Sequence, residues 1–260
     1  MREYLETAII AARAAGALQK QRFCGEFVIR HKGETDLVTE VDQESEALIV
    51  ATIRSRHPGH DILAEENEYL PLNSGFTWVV DPLDGTTNYA HGIPWFCVSI
   101  ALEIEGLVSV GVVYHPMLEQ LFTVIRGEGA FLNGERLTVS SREPLKQALL
   151  ATGFPYDRAV DPDNNFDNFF KFQLAARAVR RFGAAALDLA YVAAGRLDGF
   201  WESKLHPWDV AAGLLLVEEA GGSVSGYVGE PCRIRHHRIV ASNGRIHQEI
   251  LAILALEGRG

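Results

Sequence analysis

Apolar residues near the start of the chain recur with the period of an α-helix. Leu5, Ile9, Ala12 and Ala15 would lie on one face of a helix from about Glu3 to Arg22. Similar patterns with capping or stop residues predict further helices. Their expected ranges are from Thr39 to a stop at His57-Pro58-Gly59, from Phe169 to Arg181, from Ala184 to Ala194, from Asp209 to Ala220, and from His247 to Leu256.

Shorter apolar runs predict strands. Ile62–Ala64 and Trp78–Val80 each end directly in acidic residues, and carboxylates at strand ends suggest a functional site. Between Phe96 and Val139, the turn pairs Glu105-Gly106 and Asn133-Gly134 separate several such runs, which predicts an antiparallel meander. Two further strands are expected around Phe200 and at Ile239–Ala241.

A stretch rich in proline and polar residues separates two parts of this pattern. Three prolines lie between Ser140 and Asp167, without a low-complexity linker. We therefore expect an N-terminal half of about residues 1–142 and a C-terminal half of about residues 143–260.

The composition argues against several classes of protein. The chain has 260 residues, 47% of them hydrophobic and 22% charged, which is typical of compact globular proteins. Its formal charge of -10 disfavours nucleic acid and anionic membranes as partners. Its three cysteines have no C-x-x-C spacing, and acidic residues near the N-terminus do not fit a signal peptide. We therefore expect a cytoplasmic protein without disulfides or structural zinc.

The segment from Asp81 to Thr87 combines features that a metal-dependent phosphate site requires. Asp81 and Asp84 supply hard oxygen ligands that suit Mg²⁺. Gly85 and Thr86 would present backbone N–H groups at a helix start, where a phosphate is favoured. The alternative is an acid-rich capped turn, because Asp and Thr are ordinary capping residues. This segment alone does not decide between the two.

Two further acidic positions support the metal site. Glu65 follows the strand predicted at Ile62–Ala64, and Asp209 opens a predicted helix. Each also has an ordinary explanation, since adjacent acids in loops are usually solvated and Asp is a common helix cap. Together with Asp81 and Asp84, they would provide four carboxylates at the ends of elements. That number is enough to hold two or three Mg²⁺ ions near a phosphate.

Two long motifs are specific enough to compare with known families. They are WVVDPLDGTTNYAH at residues 78–91 and WDVAAGLLLVEEAGG at residues 208–222. In both, the chain resembles the inositol monophosphatase family, and in particular its bacterial branch. The resemblance covers essentially the whole chain and implies a single mixed α/β (α+β) domain, a layered αβαβα sandwich. It also implies a Mg²⁺-dependent, lithium-sensitive phosphatase and, commonly, a homodimer. Further matching segments are Asp36–Asp42, Ala64–Glu66, Gly127–Gly134 and Gly183–Ala186.

The family resemblance also implies a set of metal ligands. By matching positions, Glu65, Asp81 and the carbonyl of Leu83 would hold a first Mg²⁺. Asp81, Asp84 and Asp209 would hold a second. Glu65 would also contribute to a third, weaker site.

The same resemblance implies catalytic and substrate-binding residues. Asp42 and Thr86 would orient the water that attacks phosphorus, and Glu65 would assist through the first metal. Backbone groups of Gly85 and Thr86 would contact the phosphate. Asp84, the backbone around Ala185, and Glu202 would contact the hydroxyl groups of the polyol. For Glu202 the alternative is a strand acid that faces solvent.

Two features bear on the substrate. Many relatives carry Ser or Thr near Ala184, so a hydroxyl that shapes the sugar pocket is missing here. In sequence, Lys204 is the only basic residue close to Glu202, which favours a monophosphate, although Arg158 or Arg180 could fold over the site from distant loops.

Three hypotheses follow. The first is hydrolysis of myo-inositol monophosphate to inositol and phosphate. The second keeps the chemistry but changes the substrate to fructose 1,6-bisphosphate, 3'-phosphoadenosine 5'-phosphate or histidinol phosphate. The third is a non-enzymatic role in which the fold binds a macromolecular partner. The intact set of carboxylates favours an enzyme that acts on a small phosphorylated polyol.

Overall fold

Seven α-helices lie within the part of the chain that the structure, a computed structural model, describes. It describes residues 1–25, 28–31 and 37–255, with the side chains of all but residues 30 and 31. Asp36 of one matching segment and Leu256 of the last predicted helix lie outside these residues. The helices are α1 (Arg2–Arg22), α2 (Glu40–Arg56), α3 (Thr86–Ala90), α4 (Phe166–Ala175), α5 (Ala185–Ala193), α6 (Pro207–Glu219) and α7 (His247–Leu254).

Fourteen strands in the same residues form one ribbon and two mixed sheets. The strands are β1 (Ile29–His31), β2 (Leu37–Thr39), β3 (Asp61–Ala64), β4 (Phe76–Asp84), β5 (Cys97–Ile104), β6 (Leu107–His115), β7 (Gln120–Ile125), β8 (Gly129–Leu132), β9 (Glu135–Arg136), β10 (Leu149–Thr152), β11 (Ala178–Arg180), β12 (Gly199–Ser203), β13 (Ser223–Ser225) and β14 (Arg238–Ser242).

The larger sheet belongs to the N-terminal part and has strand order β3-β4-β5-β6-β7-β8-β9. Strand β3 pairs parallel with β4, and every later neighbour pairs antiparallel, which confirms the predicted meander. Both predicted turns have positive φ at their two central residues, Glu105 and Gly106 in one and Asn133 and Gly134 in the other. This is the backbone that tight hairpins need to match the strand twist.

The elements stack in five layers, so the predicted αβαβα sandwich is confirmed. Helices α1 and α2 cover one face of the larger sheet, and α5 and α6 cover its other face. The smaller sheet, with order β11-β10-β12-β14-β13, packs on the far side of α5 and α6. Helices α4 and α7 cover its outer face. None of the helices in the described ranges is both long and apolar enough to span a membrane.

The core follows from alternation along the strands. In β4, Trp78 and Val80 point toward α1 and α2, while Val79 points toward the middle helical layer. Small residues let that layer approach closely. A Cβ added at Gly111 in β6 would lie 3.1 Å from the Ala212 Cα of α6. At the start of α6, the Trp208 carbonyl accepts a hydrogen bond from the hydroxyl of Ser99, which pairs with Asp81 of β4.

One predicted helix is wrong over its second half. The sequence pattern predicted a helix from Phe169 to Arg181, but α4 ends at Ala175 and β11 follows. Strand β11 pairs parallel with β10, with Leu149 opposite Ala178. This long-range pairing overrides the local helical pattern, which carries no information about β10. Because β11 ends at Arg180, the next residue, Arg181, lines a cavity at the ends of β3, β4 and β12.

Candidate active site

A cavity of about 380 Å³ opens where the ends of β3, β4 and β12 meet the first turns of α3, α5 and α6. All but one of the residues predicted for the site line this cavity: Glu65, Asp81, Leu83, Asp84, Gly85, Thr86, Ala185, Glu202 and Asp209. The exception, Asp42, lies directly behind Thr86. The structure therefore brings together residues that are more than 160 positions apart in sequence.

The end of β4 is bent by an irregularity in its pairing. Asp81 pairs with Ser99 and Asp84 pairs with Cys97, so three steps along β4 oppose two steps along β5. An extra residue of this kind bends a strand and redirects its side chains. The Asp81 Oδ1 accepts a hydrogen bond from the Leu83 amide at 3.0 Å. Both carboxylates of the predicted motif consequently face the cavity.

Gly85 makes the transition from β4 to α3. Its φ is +97°, a region that favours glycine, and an added Cβ would lie 2.9 Å from the Trp95 carbonyl oxygen. Any side chain here would push the loop at Trp95 and Phe96 away. The glycine is therefore required for the tight turn that places Thr86 at the cavity wall.

Asp42, which is buried, and Thr86, which is half-buried, form a pair across two helix starts. The Thr86 Oγ1 lies 2.8 Å from Asp42 Oδ1 and 3.1 Å from the Leu83 carbonyl oxygen. The other oxygen, Oδ2, accepts from the Thr39 amide at 2.8 Å, so the predicted capping of α2 is confirmed. Burial raises the pKa of Asp42 to about 6, although hydrogen bonds from Thr39 and Thr86 oppose the rise.

Asp84 and Asp209 each receive a backbone hydrogen bond at a helix start. The Asp84 Oδ2 accepts from the Ala186 amide of α5 at 2.8 Å, and the Asp209 Oδ2 accepts from the His206 amide at 2.7 Å. Helix α6 begins at Pro207, two residues before Asp209. The alternative role of Asp209, helix capping, is therefore real, but its carboxylate also lines the cavity. The two roles do not exclude each other.

Burial and mutual repulsion raise the pKa values of the clustered acids. Burial is the main cause for Asp81, Asp84 and Asp209, and the pKa of Asp84 rises to about 7. The next causes for Asp81 are the negative charges of Glu65, Asp84 and Asp209. The charges that act most strongly on this cluster are thus other acids. A cation bound among them would favour their ionised forms.

The donor set of this cluster fits a magnesium ion. Carboxylates and a backbone carbonyl, that of Leu83, are the hard oxygen ligands that Mg²⁺ prefers. Within the described residues, no three His, Cys, Asp or Glu side chains form a ready-made cage for an ion. Mg²⁺ does not need one, because it usually binds through one or two carboxylates and keeps waters or substrate phosphate as its other ligands.

A second group of side chains in the cavity wall lies around Glu202 of β12. This side chain is 9% exposed and lines the cavity, so the alternative of a solvent-facing strand acid is wrong. A Cβ added at Gly153 would overlap its carboxylate. Burial raises the pKa of Glu202 to about 8, and the positive charge of Arg181 opposes the rise.

The basic residues that line the cavity with Glu202 differ from those expected from the sequence. Lys204 forms ion pairs with Asp157 and Asp161, at 2.8 and 2.9 Å. Arg158 lines the cavity, as the sequence allowed, but Arg181 does so in place of Arg180. The sequence argument that no basic residue other than Lys204 lies near Glu202 is therefore wrong. The prediction failed because the sequence pattern did not show strand β11. This strand ends at Arg180, and the next residue, Arg181, lines the cavity.

Sequence reasoning also missed Asp188. It lies in the first turns of α5, is 1% exposed and lines the cavity. Burial raises its pKa well above the ordinary range, as do the charges of Glu202 and Asp84. One signal in the sequence was available, because Asp188 is an acid within the apolar run from Ala184 to Ala194. A charged residue inside a buried helix is costly and suggests a function.

The family model for the inositol monophosphatase family matches residues 1–257. The chain belongs to the inositol monophosphatase family. It is 46% identical over 257 residues to an inositol-1-monophosphatase of Synechocystis sp., covering 98% of this chain and 90% of that protein. It is also 46% identical over 255 residues to the Nus factor SuhB of Escherichia coli K12, covering 97% and 96%.

A solved relative has the same fold. The inositol monophosphatase from Anabaena (Nostoc) sp. superposes with a TM-score of 0.90 at 43% identity, over 98% of this chain and 96% of that one. As a member of the inositol monophosphatase family, the chain is a phosphatase. Family membership implies dependence on a metal and a small phosphorylated substrate.

Proposed function

We propose that this protein hydrolyses myo-inositol monophosphate to inositol and phosphate, with Mg²⁺ as its cofactor. The observation that carries the proposal is the Thr86–Asp42 pair beside a cluster of cavity-facing carboxylates. Glu65, Asp81 and the Leu83 carbonyl would hold one ion, and Asp84 and Asp209 would complete a second site with Asp81. Bound there, Mg²⁺ would lower the pKa of water and neutralise charge on the phosphate.

The Thr86–Asp42 pair would then handle the proton of the attacking water. The Thr86 hydroxyl can donate to Asp42 Oδ1, which leaves its oxygen able to accept a hydrogen bond from water. As the water attacks phosphorus, its proton would move to Thr86 Oγ1, and the threonine proton would move to Asp42 Oδ1. With a pKa of about 6, Asp42 is largely ionised at neutral pH and can accept it. The bond from phosphorus to the alcohol oxygen would break as the new bond forms, and the released alkoxide would take its proton from a second water.

The remaining residues would position the substrate. Amides at the start of α3, those of Gly85 and Thr86, have no partner within the helix and would donate to the phosphate. Glu202 would accept hydrogen bonds from hydroxyl groups of the polyol. At the start of α5, the Ala186 amide donates to Asp84. The contact between substrate and the backbone around Ala185 stays a prediction.

The test is a substrate panel assayed for phosphate release with Mg²⁺, in the presence and absence of Li⁺. The panel contains inositol 1-phosphate, fructose 1,6-bisphosphate, 3'-phosphoadenosine 5'-phosphate and histidinol phosphate. We expect the highest kcat/KM for inositol 1-phosphate, loss of activity with a chelator, and inhibition by Li⁺. A higher kcat/KM for another member of the panel would contradict the substrate assignment. Light scattering on the same sample would test the expected homodimer.

A bisphosphate substrate is the second candidate, and one observation favours it. Arg158 and Arg181 both line the cavity and could receive a second phosphate. The positive charge of Arg181, however, already acts on the acids Glu202 and Asp188, where it opposes the rise in their pKa values. Because these acids already offset part of its charge, Arg181 would attract a second phosphate less strongly. A monophosphate therefore remains the preferred substrate. In the panel, a bisphosphatase would lose activity on fructose 1,6-bisphosphate but not on inositol 1-phosphate when Arg158 is changed to Gln.

The third hypothesis, a macromolecular partner, gains support from the similarity to proteins named Nus factor SuhB. Sequence identity does not decide between an enzymatic role and a partner-binding role, because the chain is 46% identical both to an inositol-1-monophosphatase and to a SuhB protein. A partner role would survive the change Asp84→Asn, which is expected to abolish hydrolysis. Measuring both properties in one variant would separate them.

A further inference from the structure

Asp188 is a buried acid for which the proposed mechanism has no use. It lines the cavity from the side of α5, yet its Oδ1 is buried and has no hydrogen-bond partner among the described residues. Leaving such an oxygen unsatisfied costs free energy, and nearly all buried polar atoms in proteins are paired. An unsatisfied acid in the wall of a cavity is explained most simply by a ligand group that completes its hydrogen bonding.

The neighbours of Asp188 indicate the kind of ligand group. Glu202 and Asp84 add negative charge near it, and Arg181 adds positive charge. Arg181 already offsets part of the negative charge at Asp188, so a bound cation is less favoured here than among Asp81, Asp84 and Asp209. An anionic group would be repelled by the acids. A neutral hydrogen-bond donor, such as an alcohol hydroxyl, fits this balance of charges.

Other polar side chains at this end are already engaged. Thr152, which also lines the cavity, donates its hydroxyl to the Trp201 carbonyl at 2.5 Å and accepts from Asn165 at 2.8 Å. Its proton and one of its two lone pairs are therefore already used. Glu202 and Asp188 remain as acceptors on two different elements, β12 and α5, facing one space.

We propose that Asp188 is a specificity-determining residue, which accepts a hydrogen bond from a substrate hydroxyl other than the esterified one. The inference rests on the proposed function and deepens it, because it names the feature of the alcohol that the site selects. The preferred substrate class is a phosphomonoester of a polyhydroxylated alcohol, held between Asp188 and Glu202. Esters of simple alcohols would have no group to satisfy Asp188.

The experiment compares Asp188→Ala with wild type on two substrates, inositol 1-phosphate and n-propyl phosphate, in Mg²⁺. Propyl phosphate has no second hydroxyl. We expect kcat/KM to fall roughly tenfold for inositol 1-phosphate, mainly through KM, and to change less than about twofold for propyl phosphate. Asp188→Asn, which keeps an acceptor oxygen, should recover part of the loss. Equal losses on both substrates, or no loss on either, would overturn the proposal.

Ser203→Ala is the matched control. Ser203 lies next to Glu202 in β12, is 2% exposed, and its Oγ also has no partner among the described residues. It does not line the cavity, so its removal should leave both kcat/KM values unchanged. If Ser203→Ala lowers the inositol 1-phosphate value as much as Asp188→Ala does, the effect belongs to the packing of this region and the proposal fails.

Two readouts without turnover separate this inference from the proposed function. Free myo-inositol should raise the unfolding temperature of wild type and of Ser203→Ala more than that of Asp188→Ala. This difference would support the role of Asp188 even if wild type hydrolysed neither ester, an outcome that would reject the proposed function alone. The unfolding temperature of Asp188→Asn without ligand should not fall below that of wild type. A clear fall would indicate a structural role and overturn the proposal.

Discussion

The two groups of acids in the cavity wall differ in the charged residues next to them. At the end near β4, Asp81, Asp84 and Asp209 are surrounded mainly by other acids. Around Glu202 and Asp188, Asp84 adds negative charge, but Arg181 adds a positive charge that opposes the rise in the pKa of both acids. We call these regions the metal end and the alcohol end. A cluster that contains only acids needs a bound cation, whereas acids whose negative charge an arginine partly offsets can take a neutral ligand. We therefore expect the metal end to depend on Mg²⁺ and the alcohol end to discriminate among alcohols.

Asp84→Asn is the strongest test of the metal end. It removes one negative charge from the cluster while keeping the size of the side chain and an acceptor for the Ala186 amide. We expect kcat/KM to fall by roughly three orders of magnitude, about 4 kcal/mol, on polyol and simple esters alike. Phosphate release measured across Mg²⁺ concentrations would check this.

The control for Asp84→Asn is Glu119→Gln. Glu119 is an exposed acid that pairs with Lys20 at 2.9 Å and does not line the cavity. It should keep wild-type kinetics within about twofold, since surface ion pairs contribute little. Wild-type rates in Asp84→Asn would remove the basis for assigning metal chemistry to this end.

Thr86→Val tests the proton path at the metal end. Valine keeps the shape of threonine but removes the hydroxyl that lies 2.8 Å from Asp42. We expect kcat to fall about 100-fold with little change in KM, because the hydroxyl acts on the water and not on the substrate. Thr86→Ser should retain most of the rate. A loss confined to KM would instead assign Thr86 to phosphate binding.

The metal end was largely predictable from the sequence because its residues lie in contiguous motifs. Asp81 to Thr86 follow one another along a strand end and a turn, and family resemblance supplied the matches at Asp42, Glu65 and Asp209. The fold layers were implied by the same resemblance. Local pattern also predicted the meander, because Glu105-Gly106 and Asn133-Gly134 encode their own turns.

The alcohol end was less predictable because long-range contacts assemble it. Arg181 reaches the cavity only because β11 pairs with β10, which the local helical pattern concealed. Gly153 looks like an ordinary loop glycine until its packing against Glu202 is seen. Asp188 carried a signal, an acid in an apolar run, but its position in the cavity depends on how α5 packs between the sheets. Such residues are set by tertiary structure and not by local spacing.

Gly153→Ala tests the alcohol end without adding or removing a charged side chain. The added methyl group would overlap the Glu202 carboxylate and displace it. We expect KM for inositol 1-phosphate to rise about tenfold, with little change for n-propyl phosphate. Gly59→Ala is the matched control, since a Cβ there meets no atom within 4 Å. Equal effects on the two substrates would show that the two ends do not act separately.

The pH dependence of stability is the smallest expected effect, and it compares the ends directly. Burial raises the pKa of Asp42 to about 6, of Asp84 to about 7 and of Glu202 to about 8. Between pH 4 and 8, the folded state therefore holds more protons than the unfolded state. The free energy of unfolding then falls as pH rises through this window.

Mg²⁺ should oppose this loss at the metal end and leave the part due to Glu202 and Asp188. In chelator, we expect the unfolding temperature to fall between pH 5.5 and 8, by about 2 to 4 °C for each kcal/mol lost. With Mg²⁺ the fall should be smaller, because the bound ion favours ionised Asp81 and Asp84. Glu202→Gln should reduce the slope that remains in Mg²⁺, and Asp188, whose pKa burial also raises, should account for a further part of it. Calorimetry at several pH values would measure all three slopes, and a slope that Mg²⁺ does not change would contradict the division of the cavity into two ends.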